Sequence, residues 1–590
     1  MLREIKPVKE LDAVFTAPPS KAHTLRGLFI ASLANGKSII KNALNADDQK
    51  TAANCLNALG AEIKFDEKDF LVKGTNGKPV SSGNVFAKDS GVTARFLIPL
   101  AGLAEGNTFI DGSVRLRERP IGDLLNALEK TGFKYESSGK KLPITVMGGS
   151  FEGGITSIKG SASSQFLSAL LLSAPCTKKG INISIEGKLL SKPYIDVTLE
   201  CMQVFGVKVT NVDYKEFSVR PQKYSPQDFL VEGDYSSASY FFAAAAITGG
   251  KVRVDNLNPN SKQGDKFFLN CLEKMGCKVF FGKNFVKVFG GKLKGITIDM
   301  GNYPDIVPTL AVVAAFAKGK TIITNVSHLA LKESNRLEST AAELQKCGIK
   351  VNASSDSLEI IGGKSHGGEI DSHNDHRIAM SFSIMGLAVP GIKIKDFEVV
   401  GKSFENFYAE LEKAYVAKPE RIVLIGFRGT GKTSIGKKLA KRLNMDFFDS
   451  DKEIVKKTGK TISGIFAEKG AKGFRELEKH TISRLAKSKN ACIACGGGAI
   501  LLEENVENLK KNAIVILLEC DAKTIFGRIR HNKNRPALTK KQGFDEILHL
   551  LDERKEKYES AMDLKVNTSK KTINECVQDI IDALDGKELI

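Results

Sequence analysis

Residues 426–433, Gly-Phe-Arg-Gly-Thr-Gly-Lys-Thr, fit the pattern of a glycine, four residues, then glycine-lysine-threonine. The run follows an apolar strand, Arg421–Ile425, and opens a helix, Ser434–Leu443. In that setting Gly426, Gly429, Thr430 and Gly431 let the backbone wrap nucleotide phosphates, Lys432 neutralises the outer ones, and Thr433 can hold Mg²⁺. A glycine-rich turn without a ligand is the other reading. Downstream, Asp449 and Asp451 end the next strand; Asp449 suits Mg²⁺ through water, and Asp451 suits a polyol or its proton. Arg475 could grip a carboxylate with both terminal nitrogens, or pair with Glu478 on its helix. Gly496–Gly498 would let a ligand lie against bare backbone, and the basic stretch Arg528–Arg535 with Pro536 reads as a lid.

A second set of charged residues precedes this one. Arg115, Arg117, Glu118 and Arg119 lie together, as do Lys332, Glu333 and Arg336, and Asp375, His376 and Arg377. Lys332, Glu333 and Arg336 are spaced as one helical turn, so Arg336 could bind an anion while Glu333 handles protons. A salt-bridged surface helix fits the same spacing.

The elements that position these groups repeat. A helix, a glycine and a strand recur with glycines at Gly36, Gly106, Gly180, Gly250, Gly319 and Gly391, at intervals of 69 to 74 residues. The clearest copy has a polar turn at Glu232–Ser239, a helix at Tyr240–Ile247 and a strand at Lys251–Val254. The helix entries carry Ser20, Lys21 and Arg26; Asp89, Ser90, Gly91 and Arg95; Ser163, Ser164 and Gln165; Asp234, Ser236 and Ser237; Pro304 and Asp305; and Asn374 to Arg377. Each is a plausible N-cap, but capping does not call for the cations found in three of them. Helix ends that face one another would make an anion cleft for phosphate or carboxylate groups.

A chain of 590 residues with 42% hydrophobic and 26% charged residues predicts three globular domains. A break is expected near Tyr415–Glu420, where Pro419 ends a helix Phe404–Ala417. The net charge of +19 is shared by both parts. Small anionic substrates account for it, and no zinc-finger spacing, aromatic RNA-binding signature or Trp points to nucleic acid. There is no signal-peptide core and no apolar run of about 18 residues, so a cytoplasmic protein without a membrane partner is expected. Cys492 and Cys495 read as buried, reduced thiols.

The order of motifs from residue 426 on, GFRGTGKT, FDSD, GFRELE, GGG, NRPAL and LDER, resembles shikimate kinase over essentially all of 420–585. The resemblance implies a P-loop α/β domain with a parallel sheet at 418–590, using ATP and Mg²⁺. It implies that Asp451, Arg475, Gly497 and Arg554 bind shikimate, the arginines on its carboxylate. Lys432, Thr433 and Asp449 would serve phosphate and metal, Arg535 would be the lid arginine at the transferring group, and Arg528 would lie against adenine. Lys432, Asp449, Asp451 and Arg535 form the implied catalytic set.

PPSKAHTLR, RERPIG, SASSQFLSALLLSAP, SKPYID, VEGDYSSASYFFAAAAI, LKESNRL, NDHRIAM and GKSFENF resemble, in order, the motifs of 3-phosphoshikimate 1-carboxyvinyltransferase, or EPSP synthase. The kinase product is then the synthase substrate. The resemblance implies two domains, 1–19 with 233–417 and 20–232, each of three βαβαββ units. It implies transfer of the enolpyruvyl group of phosphoenolpyruvate to the 5-hydroxyl of shikimate 3-phosphate, through a tetrahedral ketal and without a cofactor. Lys21, Arg115, Arg336, Arg377 and Lys402 would surround phosphoenolpyruvate. Lys21, Arg26, Ser163, Ser164, Gln165, Ser191, Asp305 and Lys332 would hold shikimate 3-phosphate, with Asp305, Glu333 and Lys21 as proton-transfer groups.

The chain departs from the usual pattern at Ala22, Asp89, Val92, His328 and Asn335. Ala22 and Val92 remove hydroxyls and Asp89 adds a charge, which bears on phosphoenolpyruvate handling. Three other readings compete. UDP-N-acetylglucosamine enolpyruvyl transferase shares the repeat fold, but its loop cysteine has no counterpart near Arg115–Arg119. An active kinase fused to a non-catalytic or altered transferase module is the second, and the retained cations argue against it. The third, a basic nucleic-acid-binding ATPase, would show steeply salt-dependent affinity for DNA.

Overall fold

The computed structural model describes residues 1–161, 163–415, 419–530 and 543–585. Arg535 and most of the expected lid lie outside the described residues. The chain divides into two compact units, Met1–Tyr415 and Val416–Ile590.

In the first unit the repeat is a small sheet with one fixed strand order. Asn84–Phe86 runs parallel to Thr108–Asp111, which pairs antiparallel with Ile144–Val146, which in turn pairs with Tyr135–Ser137. The sheets built on Lys37–Lys41, Ile181–Glu186, Lys251–Asp255 and Lys320–Thr324 follow the same order. The sixth, Leu2–Ile5 with Ile392–Lys395 and Gly368–Asp371, has three strands among the described residues. Alternation drives each one: Val252 and Val254 are buried, while Lys251 is exposed and Arg253 half-buried.

Two separate apolar cores result. One gathers Ile5–Ala17 with residues from Tyr235 to Ala414, and the other spans Leu25 to Val231. The chain passes between them where Pro19 bridges Gly233 and the Ser20 N–H donates to Glu232 O at 2.7 Å. At the centre of the first core, Tyr235–Thr248 packs against Val307–Ala315 and His376–Gly386. Alanines let these helices approach on every side, so Tyr235 to Ala246 are all buried.

Three local expectations need correction. The helix expected at Tyr240 begins at Tyr235, because Asp234 caps it by accepting from Ser237 N at 2.7 Å. Lys332 and Glu333 are not helical: a 3₁₀ turn, Ser327–Leu331, precedes them, and Asn335 caps a helix that starts at Arg336. The helix expected over Phe404–Ala417 is Phe407–Leu411 followed by a 3₁₀ turn to Tyr415.

The second unit holds a five-stranded, all-parallel sheet in the order Asp446–Asp449, Ala491–Ala494, Arg421–Ile425, Ala513–Glu519, Leu564–Asn567. The central strand is buried at every residue, as a sheet covered on both faces requires. Lys432–Leu443 and Ile573–Asp585 cover one face, and Ile462–Leu485 with Gly543–Ala561 the other. Cys492 and Cys495 are buried free thiols. No helix among the described residues is long and apolar enough to cross a membrane.

Candidate functional site

Four of the six repeat entries cap their helices as expected. Ser20 accepts from His23 N, Ser163 from Gln165 N, Asp234 from Ser237 N and Asp375 from Arg377 N. Ser90 instead bonds the Thr93 hydroxyl, and Pro304–Ile306 forms a 3₁₀ turn with no side-chain cap. The entries face one another across a cavity of about 90 Å³ between the two cores of the first unit. Lys21, Arg26, Ser164, Gln165, Ser191, Asp305, Lys332, Glu333, Arg336 and Arg377 all line it.

Arg336 organises this cleft. It is 1% exposed, and its Nε lies 2.8 Å from Asp375 Oδ2, Nη1 2.9 Å from Asp305 Oδ1, and Nη2 2.7 Å from Glu333 Oε2. Arg377 Nη2 reaches Asp305 Oδ2 at 2.7 Å. Burial alone would raise the Asp305 carboxyl, but Arg377, Lys332 and Arg336 outweigh it and hold Asp305 below the usual carboxylate range. Glu333 is likewise held well below, with Arg336, Arg119 and Lys402 overcoming burial. Burial pushes Lys332 down to about 8 and His376 well below its ordinary value, so the His376 ring is neutral. Both His376 ring nitrogens are buried without a hydrogen-bond partner among the described residues.

Two residues outside the expected set stand in the cleft. Tyr194 donates to Asp305 Oδ2 at 2.9 Å. Arg119, 6% exposed, has Nη1 3.7 Å from Glu333 Oε1. Its guanidinium passes over Gly91, where a Cβ would stand 2.5 Å from Nη1. Arg115, the arginine expected near phosphoenolpyruvate, does not line the cavity. It is 47% exposed, pairs with Glu118 at 2.8 Å, and donates from Nε to Glu333 O at 3.1 Å. The short helix Val114–Glu118 sends its arginines outward and ends at Arg119, which turns in.

Lys402, Asp89 and Ser163 are not among the residues that line the cavity. Lys402 Nζ donates to Asp89 O at 3.3 Å, and the Asp89 carboxylate accepts from Ser113 Oγ. Ser163 serves as a cap. Ala22 and Val92 line the cavity, so the missing hydroxyls are missing from its wall. His328 is half-buried, and burial with Lys332 pushes it down to about 4.

In the second unit, the P-loop bounds a cavity of about 560 Å³. Gly429, Gly431, Lys432, Thr433, Asp449, Asp451, Gly497 and Arg528 line it. Lys432 is buried, with Nζ donating to Gly426 O at 2.7 Å and Phe427 O at 2.8 Å. Thr433 Oγ1 donates to Asp449 Oδ2 at 2.6 Å. Gly426 and Thr430 shape the loop from beneath, where Thr430 Oγ1 donates to Phe427 O at 2.9 Å. Arg528 Nη1 reaches Gly429 O at 3.2 Å.

A smaller adjoining cavity collects Asp451, Arg475, Gly497 and Arg554. Arg554 Nη1 and the Tyr558 hydroxyl both donate to Gly497 O, at 3.1 and 2.6 Å. The glycine run here makes room for side chains of the protein itself, rather than leaving backbone bare. A Cβ on Gly496 would meet Asp451 Oδ1 at 2.6 Å, and one on Gly498 would collide with the Arg475 guanidinium. Arg475 pairs with Glu478, whose carboxyl burial pushes upward.

Comparison with known proteins matches the two units separately. The family model EPSP synthase (3-phosphoshikimate 1-carboxyvinyltransferase) covers residues 5–411, and that of shikimate kinase covers 428–585. The 3-phosphoshikimate 1-carboxyvinyltransferase of Methanosphaerula palustris is 44% identical over 408 residues, 68% of this chain and 96% of that protein. That of Methanothermobacter thermautotrophicus is 41% identical over 424 residues, 71% and 97% of the two chains. A solved EPSP synthase from Acinetobacter baumannii superposes with a TM-score of 0.60 at 25% identity, over 70% of this chain and 98% of its own. The chain therefore belongs to the EPSP synthase family through residues 5–411 and carries a shikimate kinase domain at 428–585, which makes it a bifunctional enzyme of the shikimate pathway.

Proposed function

We propose that residues 418–590 phosphorylate shikimate with ATP. Residues 1–417 then transfer the enolpyruvyl group of phosphoenolpyruvate to the 5-hydroxyl of shikimate 3-phosphate, with release of phosphate. The lobes 1–19 with 233–417 and 20–232 are the two domains that enclose the second pair of substrates. The observation that carries this reading is the cleft that Lys21, Arg119, Lys332, Arg336 and Arg377 line together with the carboxylates of Asp305 and Glu333.

Charge explains the arrangement. Asp305 and Glu333 are ionised because the surrounding cations hold them so. Anionic substrates claim the same cations, and both carboxylates gain basicity as the substrates arrive. Asp305, beside Tyr194, takes the proton of the 5-hydroxyl as its oxygen bonds C2 of phosphoenolpyruvate. Glu333 and Lys21 exchange the proton at C3, which arrives as the tetrahedral ketal forms and leaves as phosphate departs. Arg119 takes the place assigned to Arg115 at phosphoenolpyruvate, with Arg336, Arg377 and Lys402. Arg26, Ser163, Ser164, Gln165, Ser191 and Lys332 hold shikimate 3-phosphate.

In the kinase half, Arg475 and Arg554 hold the shikimate carboxylate, Asp451 orients the accepting hydroxyl, and Lys432 and Arg528 engage the nucleotide. Thr433 Oγ1 and Asp449 Oδ2, 2.6 Å apart beside Lys432, are hard oxygen donors that fit Mg²⁺. When bound, the ion would neutralise phosphate charge. Enolpyruvyl transfer proceeds through side chains alone in this reading. A chelator should therefore stop ADP formation from shikimate and ATP, while phosphate release from shikimate 3-phosphate and phosphoenolpyruvate continues. Loss of the second activity on chelation would overturn the assignment of roles.

A further inference from the structure

Tyr194 Oη stands between two carboxylates of the opposite lobe, 2.9 Å from Asp305 Oδ2 and 3.3 Å from Asp265 Oδ2. The joint that places it there is built from both sides. Gly264 opens the 3₁₀ turn that carries Asp265, and a Cβ on it would meet Pro193 Cβ at 2.6 Å. Pro193 and Tyr194 of one lobe thus seat on Gly264 and Asp265 of the other. Asp265 is 5% exposed, its Oδ2 accepts from Ser236 Oγ, and its Oδ1 is buried with no hydrogen-bond partner among the described residues.

The protons at this joint can be counted. Tyr194 has one, and it can serve only one carboxylate at a time. Asp305 already accepts from Arg336 and Arg377, which keeps it ionised, and its contact with Tyr194 is the shorter. If Asp265 were also ionised, the 3.3 Å contact would be oxygen against oxygen with no proton between them. It would also bury a charge that no cation among the described residues reaches with a hydrogen bond. A proton on Asp265 removes both difficulties. The charged and titratable groups acting on Asp265 are Asp305, Asp234, Arg377, Tyr194 and Tyr303. Burial and Asp305 push Asp265 up to about 7, with Arg377 opposing them.

We propose that Asp265 is a positioning residue: as the neutral acid it donates to Tyr194 Oη and so commits the Tyr194 proton to Asp305. When Asp265 ionises, the one phenolic proton is divided between two carboxylates and Asp305 loses its oriented donor. The active form is the protonated one, present below the Asp265 pKa and lost above it. The inference rests on the enolpyruvyl-transfer reading and deepens it.

The test is kcat for phosphate release from saturating shikimate 3-phosphate and phosphoenolpyruvate, between about pH 5.5 and 9, on the whole chain. Asp265→Asn keeps an N–H donor toward Tyr194 at every pH. Its descending limb should move up by more than about one pH unit, with KM for both substrates within about twofold of the unaltered chain. Tyr194→Phe should lose the same limb, and adding Asp265→Asn to it should change nothing further. A limb left in place in Asp265→Asn overturns the proposal. Should Asp265→Asn lack a cooperative thermal transition, Tyr194→Phe decides alone, and a retained limb there overturns it equally. An unaltered chain that releases no phosphate at any pH sinks the enolpyruvyl-transfer reading, and this inference with it.

Discussion

The guanidinium of Arg119 occupies the space that a side chain at Gly91 would need, with Nη1 2.5 Å from the position of a Cβ there. The missing side chain lets a buried arginine of one loop reach past a helix start toward Glu333, 3.7 Å away in the facing lobe. Arg119→Ala should therefore raise KM for phosphoenolpyruvate by about 10- to 100-fold, the ~1.5–3 kcal/mol of a hydrogen bond to a charged group. Arg115→Ala, at an exposed pair, should change it by no more than about threefold. Steady-state kinetics with shikimate 3-phosphate saturating checks the pair, and equal effects would remove Arg119 from its role.

Glu333→Gln keeps the shape of the side chain and its contact with Arg336 while removing the titration. Binding of both substrates, measured by calorimetry, should survive. Turnover should fall by about 10²- to 10³-fold, the cost of losing a group that acts in the transition state. Unchanged turnover would take Glu333 out of the proton transfers.

Lys332 gives a pH dependence with a definite sign. Burial lowers it to about 8, so in the free protein its charge is present below that pH and fades above it. Anionic shikimate 3-phosphate favours the charged form. Affinity should fall as pH rises through about 8, and binding there should take up a proton. Calorimetry in buffers of different ionisation enthalpy measures that uptake directly. Lys332→Arg, charged throughout, should abolish it.

The kinase half offers a steric test. Gly498→Ala would push a methyl group into the Arg475 guanidinium. KM for shikimate should rise by about tenfold or more, the worth of one charged contact, while KM for ATP stays put. A change confined to ATP would move Arg475 away from the shikimate site.

How far these features can be read without a structure depends on their range. The P-loop, Thr433 with Asp449, and the caps at Ser20 and Asp375 are local, and short spacing carries them. The helix beginning at Tyr235 was less legible, because the serines after Asp234 look like a turn until Asp234 is seen to cap them. Arg115 and Arg119 could not be told apart by spacing. Both sit in an alternating arginine run, and the choice depends on where a five-residue helix ends and on the bare Gly91 it faces. Tyr194 and Asp265, 71 positions apart, share a site only once the lobes meet.

The central claim is that one chain performs consecutive transfers, and one assay addresses it. The whole protein is supplied with shikimate, Mg-ATP and phosphoenolpyruvate, and ADP and inorganic phosphate are followed together. The account predicts phosphate that tracks ADP and requires both shikimate and phosphoenolpyruvate. ADP without phosphate, persisting when shikimate 3-phosphate is added, would contradict it and leave an active kinase joined to a transferase fold that does not turn over.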